Sequence, residues 1–159
     1  MNIERYQYLF ARLHTAKIKG KTAPHKAILL LAVMQLVEEY VITSSEIELS
    51  DKLVDKFNSI WQGNVSEPCP FSCDISKPFF HLQHEPFWKL LEIEEINNEV
   101  VEELGLYQKK TMAAGYTVKS MRAKFRCAKI DNDLFEVFKD PDARTILQNL
   151  LIEKYLSYE

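Results

Sequence analysis

Four soft metal-ligand side chains fall within sixteen residues of this sequence, Cys69-x3-Cys73 followed by His81-x2-His84. Structural zinc sites are built from such residues, although their cysteines usually stand two residues apart and in a tighter knuckle than Pro68 and Pro70 favour. An extended chain would turn His81 and His84, three residues apart, to opposite faces. No metal site and no cofactor are therefore expected. No Ser or Cys stands in a recognisable nucleophile setting, and neither a glycine-rich phosphate loop nor a nuclease metal motif is found. The acidic run from Glu92 to Glu103 reads as a solvated face. An enzyme acting alone is disfavoured on these grounds.

His25-Lys26 offers a different chemistry. Thr22-Ala23-Pro24 has the form of a helix start, with Thr22 as cap and proline in the first turn. The free N–H groups and positive dipole end of such a turn attract an anion, and Lys21 and Lys26 would add charge. A helix start that merely contacts water would look the same locally.

The elements that must position these residues follow from periodicity. Asn2 to Thr15 carries Ile3, Tyr6, Leu9, Phe10 and Leu13 at helical spacing, and Lys17 to Lys21 is then a short basic connection around Gly20. His25 to Tyr40 is apolar on nearly every side and is the expected central helix. Glu46 to Leu49 suggests a short strand, and Asp51 to Trp61 a helix capped by Ser50 and stopped by Gly63. Asn64 to Lys77 reads as a loop. Pro78 to Gln83 and Phe87 to Ile93 read as the two strands of a β-hairpin. A short helix is expected near Glu99 to Leu106, a basic loop at Gln108 to Tyr116, a helix capped by Thr117 and a strand at Phe125 to Ile130. Two last helices are expected at Asn132 to Phe138 and Pro141 to Tyr155, the latter with Ile146, Leu147, Leu150, Leu151 and Leu156 at helical spacing. The class is α+β and mainly helical, with a small antiparallel sheet. All 159 residues are expected in a single compact domain, 1–159.

With 47% hydrophobic residues and only four glycines, the chain can close a core without staples. No apolar run approaches the ~20 residues of a membrane span, and charge within the first five residues argues against a signal peptide. A cytoplasmic protein with three free thiols is expected. The net charge of −3 conceals blocks: +5 over residues 1–30, −11 over 31–108, +7 over 109–130 and −4 over 131–159. The two basic blocks could meet as one positive face on an acidic body.

Thr22 to Lys26 followed by Ile28 to Leu31, Lys77-Pro78-Phe79-Phe80-His81-Leu82-Gln83 with Phe87-Trp88, Ala128 to Leu134, Asp140 to Arg144 and Leu150 to Leu156 together resemble the sulfur-binding domain of phosphorothioate-dependent type IV restriction endonucleases. The resemblance runs in order along nearly the whole chain. In that family the domain usually precedes an HNH nuclease and binds DNA carrying sulfur in place of a non-bridging phosphate oxygen. No nuclease domain is expected here. The resemblance therefore implies a stand-alone reader of modified duplex DNA, serving a restriction or defence system through a separate nuclease or effector.

Carried over by residue, it implies that Pro24, His25 and Lys26 form one wall of a sulfur pocket and Lys77, Pro78 and His81 the other. An aromatic residue usually stands where this chain has Lys77, whose methylene stem would be the substitute. Gln108, Lys109 and Lys110 fall where the family inserts a base-reading loop. Lys17, Lys19, Lys21, Lys119 and Arg122, with the lysines of that loop, would hold neighbouring phosphates. Sulfur is larger and a poorer hydrogen-bond acceptor than oxygen, so its pocket should be apolar, with His25, Lys26 and the helix N-terminus cationic around the remaining oxygens. Two rivals stand beside this reading: a regulatory DNA-binding protein without sulfur selectivity, motivated by Lys77, and a metal-dependent nuclease built on the acidic segment.

Overall fold

Helix α2, His25–Glu38, is apolar on every side because it is packed on every side: eleven of its fourteen residues are buried. The computed structural model describes residues 2–66, 69–93 and 117–156, and around α2 these form one mainly helical α+β domain. Helix α1 (Ile3–Phe10) is capped by Asn2, and α3 (Asp51–Asn64) by Ser50. Helix α4 (Ser76–His81) continues into a 3-10 turn at Leu82–His84. Helix α5 (Val118–Lys124) opens on a reciprocal capping box between Thr117 and Ser120. Helix α6 spans Asn132–Lys139, and α7, Pro141–Leu151, starts at the Asp140 cap.

Strands β1 (Lys17–Ile18) and β2 (Lys21–Thr22) form a two-stranded ribbon. Strands β3 (Glu46–Ile47), β4 (Trp88–Glu92) and β5 (Phe125–Ile130) form a three-stranded antiparallel sheet with β5 in the centre. Within it Ile47 and Leu90 both face Ala128, and the register shifts between Leu91 and Glu92.

Several elements differ from the sequence-based expectation. Pro78 to Gln83 is not a strand, and β4 pairs with β5 instead. Ser76, Phe79 and Leu82 are buried at a spacing of three, a helical period. Asp74 starts that helix, its Oδ1 accepting from the Ser76 N–H at 3.1 Å and hydroxyl at 2.6 Å. Thr22 lies in β2 rather than capping α2, and Pro24 occupies the N-cap position without a side-chain bond. The basic connection is a hairpin whose turn residues, Lys19 (φ 54°) and Gly20 (φ 78°), both take the left-handed backbone that suits strand twist.

Helix α1 ends at Phe10, not Thr15, because tertiary partners claim the following amides. The Leu13 N–H donates to the Tyr155 hydroxyl and the His14 N–H to the Glu85 carboxylate. Helix α3 passes through Gly63 to Asn64. Helix α7 ends at Leu151, not Tyr155, beyond which Ile152–Leu156 widens into a π-turn, and of its apolar residues Ile146 is exposed while Leu147 and Leu151 are buried. The helix expected near Glu99 to Leu106 lies outside the described residues.

Candidate functional site

The N-terminus of α2 and the α4 turn face each other across a cavity of about 390 Å³. His25 and Lys26 line it from α2, and Lys77, Pro78 and His81 from α4. Two segments some fifty residues apart are thus brought to one surface by packing of α4 on α2. Ala16, Ile18, Ala23 and Phe71 complete an apolar lining.

Pro24 departs from its expected place. It is buried at the N-cap of α2 and is not among the lining residues, because its ring is spent on the turn that launches the helix. Ala23 and His25 on either side of it form the wall instead. With proline as N-cap, the cap residue itself offers the first turn of α2 no side-chain acceptor. The N–H groups of that turn have no partner inside the helix by its geometry.

Lys26 is 6% exposed, and its Nζ donates to Glu85 Oε2 at 3.0 Å. That oxygen also accepts the His14 backbone N–H at 2.9 Å, and His14 Nδ1 lies 3.1 Å away. Burial alone would raise the Glu85 carboxyl, but the His14 N–H, the Lys26 ammonium and the His14 ring outweigh it and hold it below its ordinary value. The Lys26 charge is therefore shared with an internal carboxylate, and Glu85 ties the segment after α1 to α2 and to the end of the α4 turn.

His25 does not supply the expected positive charge. Its ring packs against Trp61, 4.8 Å between centroids, and meets Phe71 edge-on at 5.8 Å. Nε2–H donates to the Ser72 carbonyl at 2.6 Å, which leaves Nδ1 as the bare nitrogen. Burial depresses its pKa, and the Lys77 charge adds to that against the opposing effects of Ser72 and Asp74. A neutral, half-apolar imidazole results. Lys77 is exposed at the cavity, with Nζ 3.3 Å from the Ser72 hydroxyl.

The aromatic side chain that Lys77 does not provide comes from elsewhere, since Phe71 reaches the cavity from the loop before α4. Its sequence signal was an aromatic residue wedged between Pro70 and Ser72. Ile18, the lone apolar residue among Lys17, Lys19 and Lys21, carried a similar signal. Glu85 carried none, because nothing local shows that it meets Lys26. Of the other loop residues, the Cys73 thiol donates to Asn58 and Asp74 serves the start of α4, and neither lines the cavity.

Lys17, Lys19 and Lys21 are exposed on the hairpin that also presents Ile18 to the cavity. Lys119 is exposed on α5. Arg122, also on α5, donates to the Leu49 carbonyl at 2.7 Å and pairs with Asp51 at 2.9 Å. It lines a second cavity with Phe79 and Met121, so α5 is not part of the first site. Gln108, Lys109 and Lys110 lie outside the described residues. The acidic pair Glu38 and Glu39 sits at the other end of α2, about 20 Å from the first turn at 1.5 Å per residue.

Compared with known proteins, the chain matches no family model and no curated protein. The helical turn does change the view of the histidines: His81 and His84 are not opposed, their ring centroids being 5.5 Å apart. Among the described residues, no three His, Cys, Asp or Glu side chains are placed to hold a metal ion. None of the described helices is long and apolar enough to cross a membrane. Chemically, the cavity combines an apolar lining, to which Ile18, Phe71 and Pro78 contribute, with the charged side chains of Lys26 and Lys77.

Proposed function

We propose that the chain binds duplex DNA bearing a backbone phosphorothioate, without enzymatic activity of its own, as the reader module of a restriction or defence system whose cutting is done by a separate effector. What supports this is the meeting of His25, Lys26, Lys77, Pro78 and His81 on one cavity that is apolar in its lining and cationic at its rim. A phosphorothioate keeps the phosphate charge but loses hydrogen-bonding capacity at sulfur. An ordinary phosphate oxygen in the apolar part would shed water without a replacement donor, at a cost of about 1–3 kcal/mol. That amounts to about tenfold to a hundredfold preference for sulfur.

The deciding experiment is a gel-shift titration of one duplex with and without the sulfur. Tighter binding of the modified duplex by about tenfold or more is expected. Equal affinities would replace this reading with sulfur-indifferent DNA binding, and no binding would remove DNA altogether. Metal-dependent cleavage of the modified duplex would make the chain a nuclease.

The hairpin lysines should supply affinity without selectivity. Lys17→Ala is expected to weaken both duplexes alike and to reduce the slope of log affinity against log salt by about 1. Titrations at several salt concentrations measure it, and an unchanged slope would take Lys17 off the DNA.

A further inference from the structure

All four histidines of the chain line the same cavity. They come from three separate segments: His14 follows α1, His25 opens α2, and His81 and His84 stand three residues apart on the α4 turn. Two of them are committed elsewhere. His25 is packed among aromatic rings with Nε2–H on Ser72, and His14 lies against the Glu85 carboxylate.

His81 and His84 are both exposed, with rings 5.5 Å apart and inclined by 33°, and the His81 ring also meets Phe80 edge-on at 5.3 Å. The charged side chains lining the cavity are Lys26 on α2 and Lys77 on α4; Asp74 in the loop before α4 acts on His25, Glu85 after the 3-10 turn pairs with Lys26, and the hairpin of Lys17, Lys19 and Lys21 reaches the lining through Ile18. Asp74 is bonded to Ser76, and Glu85 to Lys26 and His14. The lysine charges that act on His81 come from Lys26 and Lys77, both in the cavity lining.

We propose that His81 and His84 form a proton-linked clamp on the anion in this cavity, so that binding takes up protons and tightens as the medium becomes more acidic. This inference rests on the proposed binding of modified DNA and names the residues that grip the phosphorothioate charge. Partial burial, then the charges of His84, Lys26 and Lys77, depress the His81 pKa in the empty protein. A bound anion opposes those charges and raises it again. Between the empty and occupied values, affinity must rise as pH falls, by at most about tenfold per pH unit for each proton taken up.

The test is fluorescence anisotropy with the phosphorothioate duplex and its unmodified counterpart from pH 8 to pH 5.5, at constant ionic strength and with EDTA present. The parent chain is compared with His84→Gln and with His81→Gln/His84→Gln. Both positions are exposed, and circular dichroism melts at each pH verify that the variants remain folded. Affinity for the modified duplex is expected to rise about fivefold or more between pH 7.5 and pH 6. His84→Gln should lose part of that gain and the double variant nearly all of it.

Equal pH slopes in the parent and the double variant would overturn the clamp, whether or not sulfur is preferred. Equal affinity for the two duplexes, with a slope that the double variant loses, would overturn the sulfur reading and leave the clamp standing. No binding of either duplex at any pH would overturn both.

Discussion

Glu85→Ala is expected to lower the free energy of unfolding by about 3–5 kcal/mol, the usual consequence of removing one partner from a buried ion pair. Against a total of about 5–15 kcal/mol for an ordinary domain, that is a large fraction. Both side chains are out of water, at 8% exposure for Lys26 and 2% for Glu85. Without the carboxylate, a buried ammonium is stranded and the His14 N–H loses its acceptor. Urea denaturation measures the loss, and a value under about 1 kcal/mol would show that water or rearrangement compensates the pair. Lys26→Met/Glu85→Leu should recover much of the loss, because apolar replacement of both partners removes the desolvation penalty together with the attraction.

Acid should erase the difference between the parent and Glu85→Ala. The folded-state pKa of Glu85 lies below its ordinary value of 4.5, so the unfolded chain takes up a proton at this group first as pH falls. The stabilisation is complete well above that ordinary value and is lost as pH falls through the lower folded one. Denaturation curves of the parent and the variant should therefore differ at pH 7 and converge in the acid range below that folded value. The same pair explains how the cavity keeps its shape, since one carboxylate joins α2, the segment after α1 and the turn after α4.

Helices were legible where burial is one-sided or total. The run from His25 to Glu38 announces a central helix through unbroken apolarity, and Asp140-Pro141 announces α7 through its cap. The strand expected at Pro78 failed because three aromatic or branched residues in a short run suit both periods, and the deciding contact is distant. Phe79 meets Trp88 edge-on at 5.4 Å and accepts its indole N–H through its carbonyl at 3.0 Å. Asp74, two residues before Ser76, was the local clue to a helix. At the cavity, residue types at both ends of the α2–α4 contact were readable, but their charge states were not. Whether Lys26 is free or paired depends on Glu85, 59 residues away, and whether His25 is charged depends first on its burial, to which the distant rings of Trp61 and Phe71 contribute. Periodicity carries no information at those separations.

Pro78→Asp is expected to abolish the sulfur preference, bringing the affinity ratio of modified to unmodified duplex from about tenfold or more to about one. Pro78 is buried on α4 and presents its ring to the cavity. A carboxylate there would draw water into the apolar part and repel the anion. Sulfur and oxygen would then enter an equally wet site, while the hairpin lysines continue to hold the neighbouring phosphates. The helix itself should tolerate the change, because an acidic residue in a first turn suits the dipole, and a retained circular dichroism spectrum checks this. His25→Ala should also remove the preference by a different route, by opening the wall that Trp61 and Phe71 brace. Competition of the two duplexes for each folded variant provides the measurement. A preference that survives in both would move the sulfur out of this cavity.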